Sequence, residues 1–419
     1  MLPFQKKLSN FFYLLIGFPS TAMGFALSIQ IAVLSWILRT KFHLEIDQIG
    51  IVWAAGPIAG ILGQPLVGLI SDKIWFWGGR RKPFIIIGGL LAALMIFALP
   101  NIGAINDFFG IGSVMAVAIT VALTLDLSIN VSFNPTRAII ADVTPDGQPR
   151  TKGYTWMQSV SNLFGSGAYL MGALISNYFL IYAGVVIVFL FSIGPLFFIE
   201  EPRELSKHET EADGSKTKTQ WGELFKLYFA HAFSWLGIQT MFVYIFAFLE
   251  QKMSSMQNIP VDERNAHLGQ MIGWSFFILN AVGAIWPAFL LEPLSKIAGR
   301  VRTQALMVGI MSAGYFGIVF LATTPFMLYT MMCVLTFGWA AVVSLPFAIM
   351  SEKVDKSRMG FFMGIFNLSV VLPQLVASLL MGRLISHSAD KSLVFIISGV
   401  SLAISAFLWI FVSEHKKPA

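Results

Sequence analysis

Apolar residues in this chain come in long runs broken by short polar stretches, not in the alternation of a half-buried strand or the one-sided stripe of a soluble helix. A helix needs about 20 mostly apolar residues to cross a hydrocarbon core of about 30 Å. Twelve runs qualify: Phe11–Leu38, Ile49–Ile70, Phe84–Leu99, Phe109–Ala141, Tyr154–Asn177, Leu180–Ile199, Leu224–Leu249, Gly269–Leu291, Gln304–Ala322, Phe326–Met350, Gly360–Ile385 and Leu393–Val412. The third is short, and the fourth is long enough to project beyond a bilayer. The longest polar interruption, Glu200–Trp221, is rich in Glu, Lys, Thr and Ser and follows the sixth run. It reads as a flexible, solvated linker. The expected organisation is therefore a six-helix bundle over residues 1–199, a linker over 200–222 and a second six-helix bundle over 223–419.

The halves echo one another. The fourth run ends in Pro135, Thr136, Arg137, Ala138 and Asp142, then Arg150 and Gly153; the tenth ends in Pro346, Phe347, Ala348 and Glu352, then Arg358 and Gly360. Ala138–Asp142 and Ala348–Glu352 align at an offset of 210 residues. The loop after the second run, with Gly68, Asp72, Lys73, Gly79, Arg80, Arg81 and Lys82, has a degraded copy at Ser295, Lys296, Gly299 and Arg300. Both echoes pair run n with run n+6, which is the parallel repeat of a major-facilitator fold. The Gly68/Asp72/Arg80/Arg81 loop matches that superfamily's signature. Its role would be gating, together with Asp142: Gly68 permits close helix approach, Asp72 caps a helix end, and Arg80 and Arg81 anchor at anionic headgroups.

Composition agrees with the pattern. Of 419 residues, 56% are hydrophobic and only 12% charged, against about 25% charged in soluble domains, and mean hydropathy is +0.73. Water-soluble and disordered readings are both excluded. The single cysteine, Cys333, can form no intrachain disulfide. The net charge of +6 is a topology signal, and nucleic acid is not needed to explain it. With the N-terminus inside, the termini and even-numbered loops hold 21 of the 28 Lys and Arg residues, the outside loops six. That bias predicts twelve spans with both termini cytoplasmic.

Away from the outermost three residues of each span, the acidic, basic and histidine side chains are Asp126, Arg137 and His231. Such residues are costly in lipid and are read first as functional. Asp126, Asn130, Asn134 and Arg137 follow i, i+4, i+8 and i+11 spacing, which puts them on one face of the fourth helix. Eleven residues separate Asp126 from Arg137 by about 16 Å of helix axis, so the two cannot pair along it. A carboxyl group near midplane, reached in turn by water or a cation, has the properties of a proton-coupling site. At the 210-residue offset Asp126 becomes Thr336 and Arg137 becomes Phe347, so coupling is expected in the N-terminal half. Gln30, Gln64, Gln158, Ser159, Asn162, Gln239, Asn280, Asn367 and Gln374 add neutral polar groups within spans, and Trp156, Trp235, Tyr244, Trp274 and Trp339 add aromatic faces. Amides and indoles together suit a neutral polyhydroxylated ligand.

Several segments resemble one family, the sucrose/proton symporters of plants and their animal and bacterial relatives. They are Gly24–Leu27 with Gln30; Trp53, Gly56, Pro57 and Gly60 with Gln64–Gly68 and Asp72; Gly79–Ile85, with Lys82 where the plant proteins usually carry arginine; Asn134–Ala138 with Ala141 and Asp142; and Phe366–Leu368 with Val371–Gln374. The resemblance implies an all-α, twelve-helix major-facilitator fold and an aspartate eleven residues before an arginine as the proton and sugar site, which places that role on Asp126 and Arg137. The expected activity is proton-coupled uptake of a disaccharide, sucrose or maltose, by alternating access. A sodium-coupled glycoside carrier, or another uniporter or antiporter, is the alternative. Asp126 is the expected proton site, with Asp126, Asn130, Arg137, Gln30, Gln158, Asn162, His231, Gln239 and Asn367 as sugar-binding candidates. No cofactor, metal or enzymatic activity is expected; the partners are sugar, proton and lipid, and the protein is expected to be a monomer. The short linker and minimal termini point to a bacterial inner membrane.

Overall fold

The protein is described here by a computed structural model covering residues 2–61, 75–145, 148–202, 219–253, 259–354 and 359–413. Among these residues the regular structure is helical, apart from an isolated bridge between Phe76 and Gly79. The helices gather into two compact units: Met1–Leu44 with Ile51–His208, and Glu45–Gly50 with Glu209–Ala419.

The first unit holds α1 (Pro3–Lys6), α2 (Asn10–Thr40), most of the stretch after α3 begins (Ile46–Trp53, resuming at 55–61), α4 (Lys82–Ala98), α5 (Ile102–Phe109), α6 (Val114–Val143), α7 (Gln148–Leu174) and α8 (Asn177–Ile193). The second holds α9 (Trp221–Lys252), α10 (Val261–Gly283), α11 (Glu292–Ala298), α12 (Arg300–Leu321), α13 (Pro325–Ser351), α14 (Met359–Val376), α15 (Gly382–His387) and α16 (Leu393–Trp409). Where they are described, the apolar runs lie mostly on helix, with breaks at 54, 110–113, 175–176 and 284–285 and at the last residues of the sixth, ninth and twelfth; residues 62–70 of the second lie outside the described residues.

Eight helical stretches among the described residues are long and apolar enough to cross a membrane, and Ile46–Ile61 and α16 are apolar but shorter. α7 and α10 are long but more polar. α7 opens with Arg150 and Lys152 and carries Gln158, Ser159 and Asn162, while α10 opens with Asp262, Glu263 and Arg264. One predicted boundary is corrected. Phe109 ends the third apolar stretch, Lys82–Phe109, instead of starting the fourth. Gly110 and Gly112 at φ +61° and +74° then turn the chain, and α6 starts at Val114 under the Ser113 hydroxyl, which accepts from Ala116 N–H at 3.2 Å. The third stretch is thus not short.

Large apolar side chains such as Phe197, Phe289, Phe320 and Phe326 stand exposed on the helices. Such surfaces would associate in water and are ordinary in lipid. Hydroxyls inside the helices turn back on the preceding turn: Thr21 donates to Gly17 O, Ser28 to Gly24 O and Thr240 to Leu236 O. That satisfies them without water. α4 reaches α6 through Gly88, where a Cβ would come within 2.0 Å of Ser132 Oγ and 2.7 Å of Ser128 O. Only a residue without a side chain permits that approach, and it fixes the depth at which α6 sits in the first unit.

Candidate functional site

Asp126 lies near the middle of α6 and is 7% exposed. Gln30 of α2, 1% exposed, donates from Nε2 to Asp126 Oδ2 at 2.9 Å. The chain at Gly56 passes directly over the carboxyl: a Cβ there would lie 3.2–3.3 Å from its three atoms. Nearby, Trp53 Nε1 donates to Ser35 Oγ at 2.7 Å, which ties α3 to α2. Among the described residues no cation reaches Asp126, and the amide of Gln30 is its side-chain partner.

The polar stripe then runs outward along α6. Asn130, half-buried, donates from Nδ2 to the Asp126 carbonyl at 2.8 Å. Pro135 supplies no N–H to the turn before it, and Thr136 Oγ1 donates to Phe133 O at 2.9 Å. Arg137 is exposed, its guanidinium 4.4 Å from the centre of the Phe133 ring, and Tyr154 OH donates to its carbonyl at 3.2 Å. The stripe therefore begins at a buried acid and ends at an exposed guanidinium.

The remaining candidates fall into separate places. On α7 Gln158 and Asn162 are both exposed and bonded to each other, Nε2 to Oδ1 at 2.9 Å. On α9 His231 is buried; its Nε2 accepts from Trp235 Nε1 at 3.0 Å and its ring stacks on Phe366 at 4.9 Å. Gln239 of α9 is buried, and Asn367 of α14 is half-buried. Tyr244, an expected sugar-facing aromatic, is fully buried. Its hydroxyl donates to Ser378 O at 2.7 Å, on the π-helical turn Ala377–Met381 that follows α14. It supports a helix irregularity. An open apolar groove of about 450 Å³ on the second unit is lined by Phe225, Tyr228, Phe229, Phe233, Leu368 and Leu372. It offers acyl chains a surface and sugar hydroxyls almost no partners.

Of the expected gating residues, Gly68 and Asp72 lie outside the described residues, as does Gln64. Arg81, expected at lipid headgroups, instead turns inward. Its Nε lies 3.2 Å from Asp142 Oδ2, with the two side chains 10% and 9% exposed. Arg80 donates from its side chain to Pro202 O at 3.2 Å. The residue that sequence reasoning missed is Glu201. Its carboxylate accepts from the backbone N–H groups of Arg80, Arg81 and Lys82 at 2.7–3.1 Å, the open N-terminal turn of α4. Glu200 is bound too, trading two hydrogen bonds with the Gln5 side chain. Thus the first residues of the expected free linker are docked; 203–218 lie outside the described residues. An acid beside Pro202 at the end of an apolar run was the available signal.

The second unit repeats part of this. Arg300 at the start of α12 pairs with Glu352 at the end of α13, at 2.5 Å, but in the open. Thr336, the counterpart of Asp126, is a buried hydroxyl that accepts from Trp286 Nε1 at 2.7 Å and donates to Cys333 O at 2.6 Å. The ion pair at the helix ends is duplicated and the buried acid is not.

The profile of the Major Facilitator Superfamily matches residues 16–378. The sucrose transport protein SUT2 of Oryza sativa subsp. indica is 24% identical over 392 residues, covering 78% of each chain. The sucrose transport protein SUC4 of Arabidopsis thaliana is 21% identical over 433 residues, covering 90% of this chain and 84% of its own. The crystal structure of the nucleoside transporter NupG shares the fold at a TM-score of 0.72 and 14% identity, over 97% of this chain and all of that one. All-helical architecture, exposed apolar surfaces and a duplicated helix-end ion pair meet here in a chain that belongs to the Major Facilitator Superfamily, a multi-pass membrane transporter and not an enzyme.

Proposed function

We propose that this transporter imports a disaccharide such as sucrose or maltose together with a proton, across a bacterial inner membrane, with twelve spans and both termini cytoplasmic. The observation that carries the reading is Asp126, buried in the middle of α6 against an amide and a glycine, with no cation beside it among the described residues. A carboxyl in that setting gains or loses a proton according to which water reaches it. The similarity to sucrose transport proteins supports a sugar as the cargo. In the first unit, Asp126, Asn130, Arg137, Gln158 and Asn162 supply the carboxyl, guanidinium and amide groups that hydroxyls need. His231, Gln239 and Asn367 are further hydrogen-bonding candidates. Arg80, Arg81 and Asp142 act at the gate.

Sugar binds with Asp126 protonated from outside; access alternates; cytoplasmic water then takes the proton. The inward proton gradient drives accumulation. A panel of labelled sugars, tested in proteoliposomes at two external pH values, checks this. Uptake of a disaccharide should rise at the lower external pH and collapse with a protonophore. Uptake that follows sodium and ignores external pH would overturn the proton assignment.

A further inference from the structure

The Gln30 amide is tied to Asp126 on one side only. Nε2 donates to Oδ2 at 2.9 Å, while Oε1, equally buried, has no hydrogen-bond partner among the described residues. A buried amide oxygen without a donor is uncommon in folded proteins and calls for an explanation. An ionised carboxylate can only accept, so it can engage the amide's N–H and has nothing to offer its oxygen. A carboxylic acid carries one O–H and can do both. It can receive Nε2–H on one oxygen and donate its own proton to Oε1 from the other, closing a two-bond ring.

Among the described residues no other charge is placed to serve this carboxyl. The helices packed against α6 are α2, α4, α5 and α7. α2 carries Tyr13 near its start and Arg39 near its far end, α4 carries Lys82 at its start, α5 carries Asp107, α7 carries Arg150, Lys152 and Tyr154 in its first turns, and α6 itself carries Arg137 and Asp142 toward its end. Tyr169 of α7 is buried but engaged with Ser28. Residues 55–61, which pass over Asp126, contain no titratable group. Among the described residues, the group placed to respond to the proton on Asp126 is the Gln30 amide.

We propose that Gln30 is a positioning residue that reads the protonation of Asp126: one hydrogen bond joins α2 to α6 when the carboxyl is ionised, and two join them when it is neutral. This rests on Asp126 being the coupling carboxyl. The proton comes from water and leaves to water; Gln30 neither gains nor loses one. Its effect is to tighten the α2–α6 contact in the proton-loaded protein. A fixed cation in its place would hold only the ionised form, and an apolar residue would hold neither.

The test uses the full-length protein in lipid. An infrared difference spectrum between acid and neutral pH should show a carboxylic-acid carbonyl band that Asp126→Asn removes. A glutamine amide carbonyl band should shift in the same titration and disappear in Gln30→Met. In transport, Gln30→Lys should move the external pH of half-maximal sugar uptake toward acid by about one unit or more. That midpoint tests whether residue 30 faces the Asp126 carboxyl; a merely structural glutamine is distinguished by an amide band that stays fixed while the Asp126 band titrates. If the amide band stays fixed while the Asp126 band titrates, or the Gln30→Lys midpoint matches wild type, the inference is overturned. If no band is lost in Asp126→Asn, the coupling assignment fails instead. The spectra need no transport, so a Gln30→Lys protein that folds poorly leaves the test intact.

Discussion

Arg81 and Asp126 are both buried side chains able to carry charge, and their surroundings assign them different work. Arg81 has Asp142 at 3.2 Å in a site sheltered from solvent, so removing the arginine strands an acid. Losing one member of a buried pair costs about 3–5 kcal/mol, whereas an exposed pair is worth under about 1 kcal/mol. Arg81→Ala should therefore lower the thermal unfolding midpoint in detergent far more than Arg300→Ala, whose partner Glu352 stands in the open. Equal losses would contradict the assignment. Among the described residues Asp126 has an amide and no such cation, which suits the proton exchange proposed for it. At this scale the sequence disclosed the scarce residues, because an acid within an apolar run stands out whatever the fold. It could not disclose their partners. Gln30 and Asp126 are 96 positions apart, and no spacing rule connects them. Glu201 falls within the stretch that reads as a solvated linker, yet its carboxylate takes the N-terminus of α4.

The helices themselves were legible as runs, while their boundaries depended on punctuation inside apolar sequence. Phe108, Phe109 and Ile111 continue the hydrophobic run across the turn between α5 and α6, so hydropathy reads through it; Gly110 and Gly112 break it by adopting positive φ. Ala377–Met381 likewise reads as plain helix, although its backbone loops out into a π turn against the Tyr244 hydroxyl. Packing between helices depends on single small residues, and Gly88 is the one that seats α6 against α4. Because a Cβ there meets Ser132 Oγ and the Ser128 backbone, Gly88→Leu should cost about 1–3 kcal/mol through overpacking and shift the helix that carries Asp126. The expected result is a lower unfolding midpoint together with at least a tenfold loss of sugar uptake. Unchanged values for both would mean that the α4–α6 seat does not set the site.

For the whole molecule, the solvent was the first thing the sequence determined: with 12% charge spread mainly over loops, only lipid suits the exposed phenylalanines of these helices. The 210-residue echo was also legible, and the two acids it relates, Asp142 and Glu352, each pair with an arginine, Arg81 and Arg300, in the two units. What the repeat does not share is more informative. Thr336 spends its hydroxyl on Trp286 and Cys333, leaving the second unit a structural group where the first has an acid. The central claim is therefore that one buried carboxyl, in one unit, couples sugar to the proton gradient. The direct measurement is proton entry into proteoliposomes, followed with a pH-sensitive dye as sugar is added outside. The wild-type protein should acidify the interior on sugar addition and concentrate sugar against its gradient. Asp126→Asn should still exchange labelled for unlabelled sugar, but neither acidify the interior nor accumulate sugar. Accumulation by Asp126→Asn with undiminished proton entry would contradict the account.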